Sequence, residues 1–288
     1  MANCSPGPSR SGRVGLLAGI ASFEGRLHWH CHFIQKLESE PAIERRAVLP
    51  AFAALHEERL DTGRFETWRR GETGWPMVDA CMRWLAATGW LNFRMRAMAM
   101  SVSSLHPWNH WREPGLHLAR EFLDYEPGIH WPQVQMQSGV TGINAVRAYN
   151  PVKQARDHDP DGVFVRRWIP ALARMPHEYL IEPRILPAPA QREAGCVIGR
   201  DCPAPLVDHV TASREALRRI HAIRASGVVR VQSQAVFEKH GSRRGDRERP
   251  ARRTRAGVGP RRGKGAAGKP DARRADPSSD PTQGSLFD

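Results

Sequence analysis

Residues 71–100 read GETGWPMVDACMRWLAATGWLNFRMRAMAM, and the reading of this stretch decides the fold. Pro76 stands where a helix can begin, at the first-turn position that needs no N–H donor. Met77, Cys81, Trp84 and Leu85 then recur at helical spacing as one apolar face, and Gly89 supplies a stop. Asp79 and Arg83, four residues apart, are expected to pair on the opposite side. A second helix starts near Asn92 with Leu91, Met95, Met98, Val102 and Leu105 as its stripe, and Arg94 and Arg96 flank that stripe. At about 100° per residue the two arginines point roughly 200° apart, so one can face solvent or phosphate while the other faces the interior.

Working outward, residues 1–22 are rich in Gly, Ser and Pro and read as a disordered leader. Phe23, Leu27, His30, Ile34 and Leu37 then mark one helix face, with Ser22 as its expected N-cap and Pro41 as its end. Downstream, Pro114 opens a helix that runs to about Leu123, and residues 124–172 read as turn-rich apart from a short helix at 163–168. Strand signals are sparse, so the fold class is all-α, with a helical domain over residues 23–183. Residues 184–240 read as a Pro-rich linker and an amphipathic helical extension, with Ala216, Ile220 and Ile223 on one face and Arg218, Arg219 and Arg224 on the other. Residues 241–288 lack the apolar content to order themselves and read as a disordered basic tail.

Composition narrows the class. The 288 residues carry 43 Lys and Arg against 30 Asp and Glu, a net charge of +13 that favours a polyanionic partner such as nucleic acid. The tail alone holds 13 Lys and Arg against 6 Asp and Glu. Five cysteines without a close CxxC spacing argue against a disulfide framework or a zinc ribbon, and Cys196 and Cys202 read as ordinary thiols. No apolar run reaches the roughly 20 residues of a membrane span, and no signal peptide is evident, which points to a cytoplasmic protein. The cluster HWHCH puts His28 and His32 on one helix face beside Cys31, but no third ligand follows at a suitable spacing, so no metal site is expected.

Three separated blocks carry a resemblance: GETGWPMVDACMRWLAATGWLNFRMRAM at 71–98, WREPGLHLAREFLDYE at 111–126 and YNPVKQARDHDPDGVFVRRWIPAL at 149–172. In order and spacing they resemble the FAD-binding helical domain of the photolyase and cryptochrome family, over roughly residues 26–172. That resemblance implies FAD at the centre of a helical bundle, beside a basic groove for damaged duplex DNA, in a chain that works as a monomer. In a photolyase, reduced flavin excited by blue light passes an electron to a flipped-out pyrimidine photoproduct; the cofactor supplies the chemistry and the protein supplies binding and electrostatics. By position, Arg96 matches the family arginine paired with an aspartate near the flavin, and Asp124 matches that aspartate. Apart from the match, the two read equally well as a buried structural ion pair. Asn92, Glu126 and His130 fall at further cofactor-side positions, Trp29 and Arg94 at lesion-side positions, and Trp111 in the tryptophan chain that photoreduces the flavin.

The chain also departs from the family pattern. A lesion-contacting glutamate falls at Arg26, an asparagine falls at Phe93, and Pro132 to Val134 occupy the inner tryptophan position, leaving Trp131 and Trp108 as another route. The leader does not read as the family's phosphate-binding loop, and the α/β antenna domain that normally comes first is not in the sequence, so the chain looks like the C-terminal part of a longer family protein. The readings that follow are a light-dependent repair enzyme, a cryptochrome-like photoreceptor without repair activity, or a DNA-binding remnant. At the end of the tail, QGSLFD resembles a peptide that docks on the bacterial sliding clamp, with Gln283, Leu286 and Phe287 as its contacts.

Overall fold

The computed structural model describes residues 10–56 and 61–240. Its helices are α1 (Arg10–Ser39), α2 (Thr62–Arg69), α3 (Pro76–Thr88), α4 (Phe93–Leu105), α5 (Arg112–Glu121), α6 (Pro127–Gln137), α7 (Pro151–His158), α8 (Val163–Trp168), α9 (Ala188–Glu193), α10 (His209–Arg224) and α11 (Gly227–His240). Among the described residues the one β-type pairing is an isolated bridge between Ile198 and Cys202. None of the described helices is long and apolar enough to cross a membrane. The basic tail and the clamp-like peptide lie outside the described residues.

Both ends of α3 are fixed locally. Pro76 occupies its first turn, and the Asp79 carboxylate turns back to accept from the Thr73 N–H at 2.7 Å, the Thr73 hydroxyl at 2.5 Å and the Gly74 N–H at 2.9 Å. Asp79 therefore does not pair with Arg83 as its spacing predicts; Arg83 Nε donates instead to the Gly71 carbonyl at 3.1 Å. A carboxylate facing three local donors has its acceptor sites filled before a long side chain reaches it. At the other end Gly89 adopts φ 70° and donates to the Leu85 carbonyl at 2.7 Å. A Cβ on Gly89 would lie 2.5 Å from Leu123 Cγ, because the Leu123 N–H donates to the Gly89 carbonyl at 3.0 Å. The end of α3 is thereby tied to the residue before Asp124.

Helix α4 is the centre of the molecule. Met95 and every residue from Ala97 to Leu105 are buried, the pattern of a helix surrounded on all sides rather than lying on a surface. It packs against α3, α5, α6 and α10. Ala97, Ala99, Ser101, Ser103 and Ser104 let neighbours approach, while each large side chain removed from water contributes roughly 1.5–3 kcal/mol. The buried hydroxyls are satisfied: Ser101 donates to the Arg147 carbonyl at 2.9 Å, Ser103 accepts from Asn109 at 3.1 Å, and Ser104 meets Ser138 at 3.0 Å.

Three expectations are corrected. The leader call of 1–22 fails where the chain is described: α1 starts at Arg10, so Ser22 lies inside the helix and is not an N-cap. Residues 14–23 contain no proline and several good helix formers, enough to extend a helix whose C-terminal half packs on α6. Helix α6 sits where turns are expected from Pro127, Gly128 and Pro132. Pro127 is at its first turn, Glu126 caps it, and the bare Gly128 lets α1 approach, since a Cβ there would meet Ile34 Cδ1 at 2.6 Å. The helical extension is two helices, α10 and α11, and it is part of the same compact unit: Ala216 and Ile220 are buried, α10 contacts α4, and the Leu206 N–H donates to the Thr73 carbonyl at 2.8 Å. Lesser differences are the earlier start of α5, at Arg112, and the helix α7 opened by Pro151 under an Asn150 cap.

Two predictions follow from this architecture. Gly89→Ala forces a left-handed alanine against Leu123 and is expected to cost about 2 kcal/mol of stability, read as a lowered urea midpoint with an unchanged slope. The second concerns acid. Burial, first among the causes, holds His106, His117 and His130 each down at about 4, well below the ordinary histidine value, while it pushes Asp79 up to about 6. Near pH 5 the unfolded chain binds protons on three histidines that the folded chain refuses, and the folded chain holds one on Asp79 that the unfolded chain releases. Unfolding then takes up about two protons net, so stability should fall by about 2–3 kcal/mol per unit as pH drops through 5. Urea titrations at pH 7, 6 and 5 check the slope, and His130→Gln should flatten it.

Candidate functional site

A cavity of about 350 Å³ opens between the 90–93 turn, α4, the end of α5, the 124–126 loop and α6. Asn92, Arg96, Asp124, Glu126 and His130 all line it. Its walls are otherwise mostly apolar, with Met100, Leu118, Phe122 and Val134 facing inward, the composition of a small-molecule site with a few placed polar groups.

Arg96 is held by three partners. Its Nη2 donates to both Asp124 oxygens at 2.8 Å, its Nε donates to the Leu91 carbonyl at 2.6 Å, and its guanidinium carbon sits 4.1 Å from the centre of the Phe122 ring. Asn92 caps α4 by accepting from the Met95 N–H at 3.0 Å, which leaves its Nδ2 buried with no hydrogen-bond partner. Glu126 accepts from the Gly128 N–H at 3.4 Å and so holds the first turn of α6. His130 Nε2 lies 2.8 Å from the Gly115 carbonyl, an acceptor, so the ring proton sits on Nε2 and Nδ1 is left as an acceptor. Burial keeps that ring neutral at pH 7.

The remaining sequence-predicted residues fall outside this wall. Trp111 is buried one layer behind it, with its ring edge-on to Trp131 at 6.2 Å. Trp131 in turn meets the His130 ring at 5.0 Å and donates from Nε1 to the Tyr125 hydroxyl at 3.1 Å, and both of those residues line the cavity. Arg94 points away from the cavity and acts electrostatically on His158 of α7. The two arginines of α4 therefore do diverge. Trp29 is half exposed on α1, against His32 and Phe33, and does not line the cavity. Among the described residues no group of three or more His, Cys, Asp or Glu is placed to hold a metal ion. Sequence reasoning passed over Phe122, Tyr125 and Gln133 in the wall. Tyr125 was findable, because it lies between two acids that were singled out.

Comparison with known proteins agrees with this architecture. Residues 23–222 match the family model described as the FAD binding domain of DNA photolyase. Among curated relatives, a Cryptochrome DASH from Gloeobacter violaceus is 38% identical over 161 residues, covering 54% of this chain and 32% of the relative. A deoxyribodipyrimidine photo-lyase from Alkalihalophilus pseudofirmus is 31% identical over 199 residues, covering 68% of this chain and 41% of the relative. Among solved structures, a bacterial class III photolyase from Agrobacterium tumefaciens superposes with a TM-score of 0.66 at 29% identity, covering 72% of this chain and 43% of the other. The chain thus spans between about a third and just over two fifths of the length of these relatives. By fold, by the family model and by these relatives, the chain belongs to the photolyase and cryptochrome family and comprises its helical FAD-binding domain.

Proposed function

We propose that this chain holds FAD in the α4–α6 cavity and serves in light-dependent repair of pyrimidine photoproducts in DNA. The observation that carries the reading is the fixed Arg96–Asp124 pair in a mostly apolar cavity wall of a domain that matches the FAD-binding family model. Bound FAD supplies light absorption and one-electron chemistry; the residues do the rest. Asn92 caps α4 and so shapes the cavity wall on the cofactor side, and Arg96 holds Asp124 and Phe122 in place. His130 keeps its proton on Nε2 and offers Nδ1 only as an acceptor. Trp111 and Trp131 form an edge-on aromatic line from the packed interior to the cavity wall, a route by which an electron reaches the site.

Damaged DNA is the substrate this reading assigns. The net charge of +13 supplies salt-sensitive attraction to phosphate, and Arg94, turned away from the cavity, serves as a phosphate contact. Gln283, Leu286 and Phe287, outside the described residues, add docking on a sliding clamp. A second reading is a blue-light receptor without repair. It is favoured by Arg26, where the family has an acid, and by the exposed Trp29, which stands clear of the cavity. Illumination of the flavin-loaded protein with dimer-containing and with (6-4)-containing oligonucleotides separates the two: loss of either lesion supports repair, and persistence of both supports the receptor.

Two variant sets test the site. Arg96→Ala should weaken FAD binding at least about tenfold, followed by flavin fluorescence on titration, whereas Arg94→Ala keeps FAD and lowers the salt slope of DNA binding by about 1. Equal flavin affinity in the two variants would refute the division. Trp131→Phe should bind FAD normally yet slow its photoreduction at least about tenfold in the presence of an external thiol, because phenylalanine is far harder to oxidise. Unchanged photoreduction would remove Trp131 from the route.

A further inference from the structure

The two cysteines that read as ordinary thiols from their spacing lie together in the fold. Cys196 and Cys202 are buried, and their Sγ atoms are 3.0 Å apart, about 1 Å beyond a covalent S–S bond of roughly 2.05 Å. The contact is built by the backbone around it. The Cys196 N–H donates to the Gln191 carbonyl at 3.0 Å, and the Gly199 N–H donates to the Cys202 carbonyl at 2.6 Å. Gln191 Oε1 accepts from the Ile198 N–H at 2.8 Å, and Asp201 Oδ2 accepts from the Val197 N–H at 2.8 Å. Gly195 at φ 73° and Gly199 at φ 89° supply the left-handed turns that fold the loop back on itself.

We propose that Cys196 and Cys202 form a dithiol site that closes to an intrachain disulfide on exchange with a small oxidised thiol, stapling the loop that clasps the start of α3. The clasp is direct. Residues 204–206 follow Cys202, the Leu206 N–H bonds the Thr73 carbonyl at 2.8 Å, and a Cβ on Gly74 would meet the Ala204 backbone at 2.4 Å. Cys202 also lines a narrow cleft with Arg83 and Pro205. In the exchange, Cys202 loses its proton to water and attacks one sulfur of the reagent, and the first reagent thiolate leaves and is protonated. Cys196 then loses its proton, attacks Cys202 Sγ and displaces the second reagent thiolate, which is protonated in turn. Two cysteine thiols thus give up two electrons and two protons, and one reagent disulfide becomes two thiols. Burial, first, and the contact with Cys196 push the Cys202 thiol up to about 12, so the first attack is slow at neutral pH.

The test uses the full chain equilibrated in glutathione buffers of increasing oxidised fraction, alkylated and digested with trypsin without reduction. Trypsin cuts after Arg200, so the disulfide appears as peptides 193–200 and 201–214 joined and separated by reduction. The joined pair should form at an oxidised fraction at least about tenfold lower in the folded chain than in urea, because the fold supplies the effective concentration. Cys196→Ser and Cys202→Ser, each checked for native circular dichroism, should abolish it. Both cysteines remaining alkylated in the folded chain, closure no easier than in urea, or joining to Cys31 or Cys81 instead would overturn the proposal.

Discussion

The Arg96–Asp124 pair is the contact on which the cavity depends, and its importance comes from where it sits on α4. The first turn of a helix carries partial positive charge and favours anions. Here that turn holds Arg94 and Arg96 and no acid of its own. The missing negative charge comes from Asp124, 28 positions along the chain, so α4 begins favourably only when the 122–126 segment is docked beside it. An exposed ion pair in isolation is worth at most about 1 kcal/mol. This one sets a single nitrogen against both carboxylate oxygens, is backed by a carbonyl and is laid on an aromatic ring, and the same segment is anchored one residue earlier by Leu123 on Gly89. The wall is therefore set by several modest interactions that share one geometry.

That geometry also explains how a mostly apolar cavity tolerates its polar groups. Asn92 spends its oxygen on the helix cap and keeps a bare Nδ2, and His130 spends its proton on the Gly115 carbonyl and keeps a bare Nδ1. Each side chain is oriented by one bond to the backbone. Replacing the first bond would release the second group to rotate, so cap and wall are not separable roles.

Much of this was legible in the sequence where the signal is local. Pro76, Gly89 and Asn92 act in their own turns, and the α4 stripe follows a period that burial imposes. Arg96 and Asp124 came from the family match, and their contact needed only that two assigned residues meet. What stayed hidden depends on distant partners. Pro127 and Pro132 look like breakers, yet α6 accepts one at its first turn and gives up one hydrogen bond at the other, because packing against α1, α4 and α5 outweighs that loss. Gln135 shows the same tertiary control: its side chain bonds Ile43, Arg46 and Val48, all about 90 positions earlier. Asp79 was misread for the opposite reason, since helix spacing suggested a partner four residues on while three nearer donors lay in the preceding turn.

Helix α3 joins the two sites discussed above. Thirteen residues rise about 20 Å, with the cysteine loop clasping the start and the cavity turn leaving the end. Both junctions rest on glycines with positive φ that cannot accept a Cβ, Gly74 under Ala204 and Gly89 under Leu123. Such junctions are stiff, because the close approach that fixes them also forbids sliding. The flanks of α3 are packed by α4, α7 and α8, while Ala86, Ala87 and Thr88 of its last turn are exposed. A bond formed between Cys196 and Cys202 then tightens a loop already seated on the Thr73 turn, and its effect is confined to that end of the helix.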